Sequence, residues 1–266
     1  MSEQSSTFRA ALLAVLSIGM VLAVDLFMFS LQLQPQAIPH LAVGVLTAQL
    51  LSLLVFYKGE ICPGQCARLV KVNLVFALYW VVWLVISLLP AYHYTLTNLM
   101  SLCGLSVVYF IYKQPKAHNL RNGFLRMAAL VAGFGLLSYL MLFGILPLGA
   151  FVEYNPLAPM LAGVILANLT LVIARNRLQG FIALLPPTMV LLLAFNAVLI
   201  FILILFGGEN EPSAEGVFAY AIYFVCHFAI AAILVIHSLQ KWTLSTNSLF
   251  ILLFIASCLP LWMLFV

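Results

Sequence analysis

The run from Phe181 to Phe206, FIALLPPTMVLLLAFNAVLIFILILF, decides the fold class, because it is continuous, apolar and free of charge. A helix crosses the hydrocarbon core of a bilayer with about 20 residues, and this run exceeds that length. A membrane barrel strand would instead alternate polarity over about ten residues. No such alternation is present, so the reading is a transmembrane helix.

Eight further runs of the same character flank it, giving spans at about 8–33, 38–57, 70–90, 96–112, 124–150, 157–174, 181–206, 217–237 and 247–266. Of the 266 residues, 65% are apolar and 7% are charged, against about 25% charged in a soluble domain. So few charges cannot cover a water-exposed surface of this size, whereas lipid solvates apolar helix faces. The expectation is an all-α, polytopic bundle of about nine spans. It forms a single transmembrane domain over 1–266 with no separate soluble domain, and its main partner is the lipid bilayer. The apolar run after the short polar N-terminus is too long for a signal-peptide core and reads as the first crossing.

The loops orient the bundle, because Lys and Arg concentrate on the cytoplasmic side of short loops. With the N-terminus inside, Arg9, Lys58, Arg68, Lys71, Lys113, Lys116, Arg121, Arg126, Arg175, Arg177 and Lys241 all fall on one side. The opposite loops carry Glu153, Glu209, Glu211 and Glu215. A wrong span count would scatter these charges over both sides. The expected topology is therefore N-terminus cytoplasmic and C-terminus outside, and the short loops point to a bacterial inner membrane.

Proline marks ends and bends. Pro90 and Pro147 sit where helices can stop without losing an internal bond. Pro186-Pro187 removes two donors inside span seven and is expected to bend it. Small residues four apart, Gly44 and Ala48 in span two and Gly163 and Ala167 in span six, permit close helix contact. The strings Gly44-Val-Leu-Thr-Ala48-Gln49-Leu50 and Gly163-Val-Ile-Leu-Ala167-Asn168-Leu169 also match in register. They raise a parallel duplication of four helices, 8–112 and 124–237, with 247–266 as a terminal helix.

Polar residues inside spans are the candidate functional residues, because each is costly unless paired. Asp25 is the only carboxylate within a span, and its insertion costs about 2.5–3.5 kcal/mol at mid-bilayer. It belongs in the bundle interior or beside water, as a coupling-ion or proton site or as a contact near the outer interface. His227, near the centre of span eight, can exchange a proton near neutral pH or serve as a neutral link between helices. Gln49, Asn168 and Asn196 lie at similar depth and with His227 could form one polar layer, where transporters place substrate. The alternative is that these amides simply join neighbouring helices. Trp80 and Trp83 are too deep for an interfacial belt and should face protein or a cavity. Trp242, Tyr92 and Tyr94 suit the belt.

The remaining signals are weak or negative. Cys62-Pro-Gly-Gln-Cys66 lacks the four ligands of a structural zinc site and reads as structural or incidental. A bis-histidine haem would need a second histidine at the depth of His227, and His40, His93, His118 and His237 lie nearer the surfaces. No cofactor or metal is expected. No basic stripe for nucleic acid, no aspartate-rich magnesium motif and no nucleotide or hydrolase motif occurs. The leading reading is a carrier or permease-like protein for a small solute or ion. A membrane scaffold or anchor subunit with protein partners is the alternative, and a lipid or quinone enzyme is the third.

Overall fold

The computed structural model describes residues 2–59, 61–115, 117–146, 150–176, 178–206, 214–240 and 242–266. It is all-helical, with no strand among the described residues. The elements are α1 (Ser2–Leu31), α2 (Ala42–Lys58), α3 (Pro63–Leu74), α4 (Phe76–Leu88), α5 (Thr95–Tyr112) and α6 (His118–Ile145). They continue as α7 (Ala150–Glu153), α8 (Leu157–Ile173), α9 (Gln179–Phe206), α10 (Ala214–Leu239) and α11 (Thr246–Met263). Pro147, Lys116, Arg177, Lys241, Glu209 and Glu211 lie outside the described residues.

Eight helical segments among the described residues are long and apolar enough to cross a membrane, with α3–α4 and the last part of α7 with α8 each forming one of them. The ninth, α2, has 17 residues, which at 1.5 Å each is about 25 Å. That is slightly short of the ~30 Å hydrocarbon core, so a count of nine crossings turns on α2.

Span three starts earlier than the apolar run implied. Pro63 opens α3 in the first turn, where its missing N–H costs nothing, and Cys62 caps it with Gln65 Oε1 accepting from the Cys62 N–H at 3.4 Å. At Val75 the ladder tightens: its N–H donates three residues back, to Val72 O at 3.2 Å. The Asn73 amide donates to Leu69 O at 2.9 Å beside this break. α9 runs as one helix through Pro186 and Pro187.

The bundle is built around α2 and α8. They cross where Gly44 meets Gly163: a Cβ on either glycine would collide with the other helix's backbone, at Pro159 O or Gly44 O. The small-residue pairs of the sequence thus meet each other, and the close approach needs glycine on both sides. In the span containing α8, 78% of the most apolar stretch is buried, against 22% in α9. α8 is consequently a central pillar, and α9 faces lipid. α5 and α6 pack together beside α2, while α9 and α11 flank α8 and α10 packs on both of them.

The two ends of this core differ in chemistry. At one end arginines cap the pillars: Arg121 donates to Phe56 O of α2 at 2.8 Å, and Arg68 donates to Ala174 O after α8 at 3.0 Å. Cations at helix C-termini meet orphan carbonyls and the negative end of the dipole. At the other end the segment between α1 and α2 folds inward, with Ala37 to Leu41 buried. Ala37 holds it there: its N–H donates to Tyr92 O at 3.0 Å, and its carbonyl accepts from the Thr97 hydroxyl at 2.6 Å.

Candidate functional site

At the end opposite the arginines lies a buried cluster centred on Asp25. α1 places its side chain level with the start of α2, and it is 0% exposed. Oδ1 accepts from the backbone N–H of His40 at 2.9 Å and of Leu41 at 3.1 Å. These are unpaired donors at the α2 N-terminus, and Leu41 offers no side-chain cap of its own. Asp25 therefore caps a neighbouring helix at the positive end of its dipole. Oδ2 accepts a short hydrogen bond from the Tyr79 hydroxyl of α4. Three bonds to a charged group, each about 1.5–3 kcal/mol, outweigh an insertion cost of about 2.5–3.5 kcal/mol. The site can hold a carboxylate.

His40 extends the cluster outward. Its ring is buried, stacked on Tyr154 at 4.7 Å between centroids, and its Nε2 lies 3.2 Å from Glu153 Oε1. The Nδ1 atom has no hydrogen-bond partner among the described residues and sits 4.0 Å from Asp25 Oδ1. Glu153 retains 21% side-chain exposure. The Tyr139 hydroxyl of α6 donates to Tyr154 O at 2.9 Å, closing the cluster from behind. Carboxylate, imidazole and carboxylate thus form a line from a part-exposed outer position to the buried end of α1.

Of the residues that could form one polar layer, the hydrogen bonds join only Asn196 and His227. Asn196 and His227 do meet, in a network of their own: Asn155 Nδ2 donates to Asn196 Oδ1 at 2.6 Å, and Asn196 Nδ2 contacts Tyr223 Oη at 2.7 Å and His227 Nε2 at 2.9 Å. His227 Nδ1 reaches Tyr223 O at 3.0 Å. A neutral imidazole with its proton on Nδ1 satisfies every one of these contacts, as a link between helices requires. Gln49 is engaged elsewhere. It accepts from Trp80 Nε1 and donates to Gly104 O, both at 3.1 Å. Gly104 is required there because a Cβ would strike the Trp80 indole. Asn168 is buried, and its Oδ1 has no partner among the described residues. Trp80 and Trp83 face protein, as expected from their depth.

Asp25 itself lies in the bundle interior, one of the two places expected for it, and is fully occluded in this conformation. Sequence reading missed its partners. His40 was read only for its depth, not as a partner, and is 1% exposed, while Tyr79 and Tyr154 carried no signal. One clue existed: the Ala37-Ile38-Pro39-His40-Leu41 linker is too apolar for an exposed loop.

Comparison with known proteins agrees with this architecture. No solved structure matches the chain. A protein of Haemophilus influenzae, named only as an uncharacterized protein, is 71% identical over 267 residues, covering 100% of both chains. The family described as integral membrane domain matches residues 3–265. Composition, helical architecture and this end-to-end match agree, and the chain belongs to that family of multi-pass integral membrane proteins.

Proposed function

We propose that the protein is a carrier for a small solute or ion, and that the Glu153–His40–Asp25–Tyr79 line is where it handles a proton or cation. The observation that carries this reading is the buried carboxylate joined through an imidazole to a part-exposed carboxylate. If Glu153 accepts from His40 Nε2, a neutral ring turns its Nδ1 lone pair toward Asp25. A single proton placed on Nδ1 or on Asp25 removes that repulsion. Protonation of Asp25, or a cation taken up beside it, would weaken the hold of its carboxylate on the α2 N-terminus, because a neutralised carboxyl is a poorer cap at the positive end of a helix dipole. Opening toward the outer side would follow from that loss. Asn196, His227, Gln49 and Asn168 act in this account as links between helices.

The one-sided basic residues support the orientation with the cluster facing outward and the N-terminus in the cytoplasm. The α2–α8 crossing, where Gly44 meets Gly163, supports the four-helix duplication, because equivalent elements of a duplicated unit can meet about a pseudo-two-fold axis.

The test uses liposomes containing a pH dye and the purified protein. Inward gradients of Na+, K+, small organic acids and small amines are imposed in turn. At least one gradient should shift lumenal pH with the native protein and not with Asp25→Asn, while both elute as monodisperse protein. Flux that survives in Asp25→Asn, or no flux with any gradient, returns the protein to a scaffold or anchor role.

A further inference from the structure

We infer that the arginine-bearing end of the bundle holds a binding site for a phosphate-type anion, most simply the headgroup of an acidic phospholipid. A cavity of about 220 Å³ opens there between the first turns of α1, the end of α8 and the start of α11, lined by Arg9, Leu13, Val172, Arg175, Thr246 and Asn247. Neither arginine has an ion-pair or side-chain hydrogen-bond partner among the described residues, unlike Arg68, Arg121 and Arg126. The volume falls below the ~300–1,000 Å³ that encloses a drug-sized molecule. It suits a headgroup fragment whose chains continue along the apolar wall of Leu13 and Val172. Basic pockets between membrane helices are a recurrent form of acidic lipid recognition.

The backbone explains how Arg175 comes to stand there. α8 ends in a paired closing turn, with Asn176 N–H donating to Leu171 O at 2.9 Å and Arg175 N–H to Val172 O at 3.0 Å. Arg175 occupies the left-handed position at φ 52°, the only such non-glycine residue described. Glycine is the residue that this position ordinarily favours. The α11 N-terminus adds backbone donors on the opposite wall; there Ser248 N–H is already taken by the Ser245 hydroxyl at 3.1 Å. The cavity therefore combines two unpaired cations, an amide at Asn247 and an apolar flank.

The strained position also supplies a clean test. Arg175→Gly relieves the backbone and removes the charge, so loss of binding cannot be blamed on a misfolded protein. Native mass spectrometry of the full chain, extracted with phosphatidylglycerol or with phosphatidylcholine, reads lipid retention directly. The native protein should hold phosphatidylglycerol in preference, and Arg9→Gln with Arg175→Gly should lower that retention about twenty-five-fold, near fivefold per arginine. A parallel arm adds inorganic phosphate to the detergent-solubilised protein and follows its melting temperature. A rise with phosphate but no lipid preference assigns the same site to a soluble phosphate ligand. Equal retention of both lipids together with no response to phosphate overturns the inference. So does an unchanged preference in the double variant.

Discussion

The Asp25 cluster and the Asn196–His227 network are both buried, both tie several segments together, and differ in charge. Asp25 sits beside the central pillars, where the α2 N-terminus supplies two backbone donors and Tyr79 a third. Asn196 and His227 lie between α8, α9 and α10, and α9 is the span most exposed to lipid. That network has tyrosine and amide partners but no charged side chain among those in hydrogen-bonding contact. A formal charge is affordable only where dipoles and donors are already fixed in place. Amides suffice where helices meet under lipid. The comparison sets the cluster that the proposed function requires to change charge beside one whose neutral partners need only join helices.

The pillar crossing beneath the charged cluster should be the least forgiving position. Gly44→Leu forces a side chain into the Pro159 carbonyl, and overpacking costs about 3 kcal/mol or more where backbone cannot yield. Size-exclusion chromatography in mild detergent should show no monodisperse protein. Gly133→Leu, at a glycine with open space where a side chain would start, should elute normally. If both variants behave alike, the crossing does not organise the bundle.

Next in size, the charged cluster should outrank the neutral one. Asp25→Ala strands two N–H groups and a tyrosine hydroxyl, so its loss is expected at about 3–5 kcal/mol. Asn196→Ala removes links that in membrane proteins are worth about 0.6–1.7 kcal/mol each. Thermal melts of the two variants in the same detergent should rank in that order. The reverse ranking would make the Asn196 network the structural keystone.

Topology gives a subtler check on which end is which. Leu33→Cys, at an almost fully exposed residue after α1, should react with an impermeant maleimide in intact cells. Asn119→Cys, at the start of α6, should react only after the membrane is opened. Labelling in the opposite order would place the Asp25 cluster on the cytoplasmic side and reverse the direction of the proposed relay.

How much of this was visible in the sequence depends on the range of the signal. Helical class and multi-pass character follow from uninterrupted apolar runs such as 181–206, which need no tertiary partner to be read. The Gly44 and Gly163 pairs announced close packing, though not that they pack on each other. Asp25 stood out because a carboxylate in a span is rare. Its partners did not, since His40 reaches it only through a linker that folds inward, Glu153 only through His40 and Tyr79 from a separate span, and residues 15 to 128 positions away leave no periodic trace. The polar layer failed for a related reason. Equal depth along separate helices says nothing about which faces they turn to one another, and Gln49 turns to Trp80 while Asn196 turns to His227.

The central claim is that Asp25 changes protonation and becomes accessible in the working cycle. Reaction of the liposome-reconstituted protein with a hydrophobic carbodiimide, read by mass spectrometry of the peptide containing residue 25, tests this without knowing the substrate, because the reagent modifies protonated carboxyls that it can reach from the membrane. The account predicts modification at Asp25 that slows as the external pH rises and is absent in Asp25→Asn. An Asp25 that stays unmodified at every pH, while Glu153 reacts, would contradict it and leave the carboxylate as a fixed cap on α2.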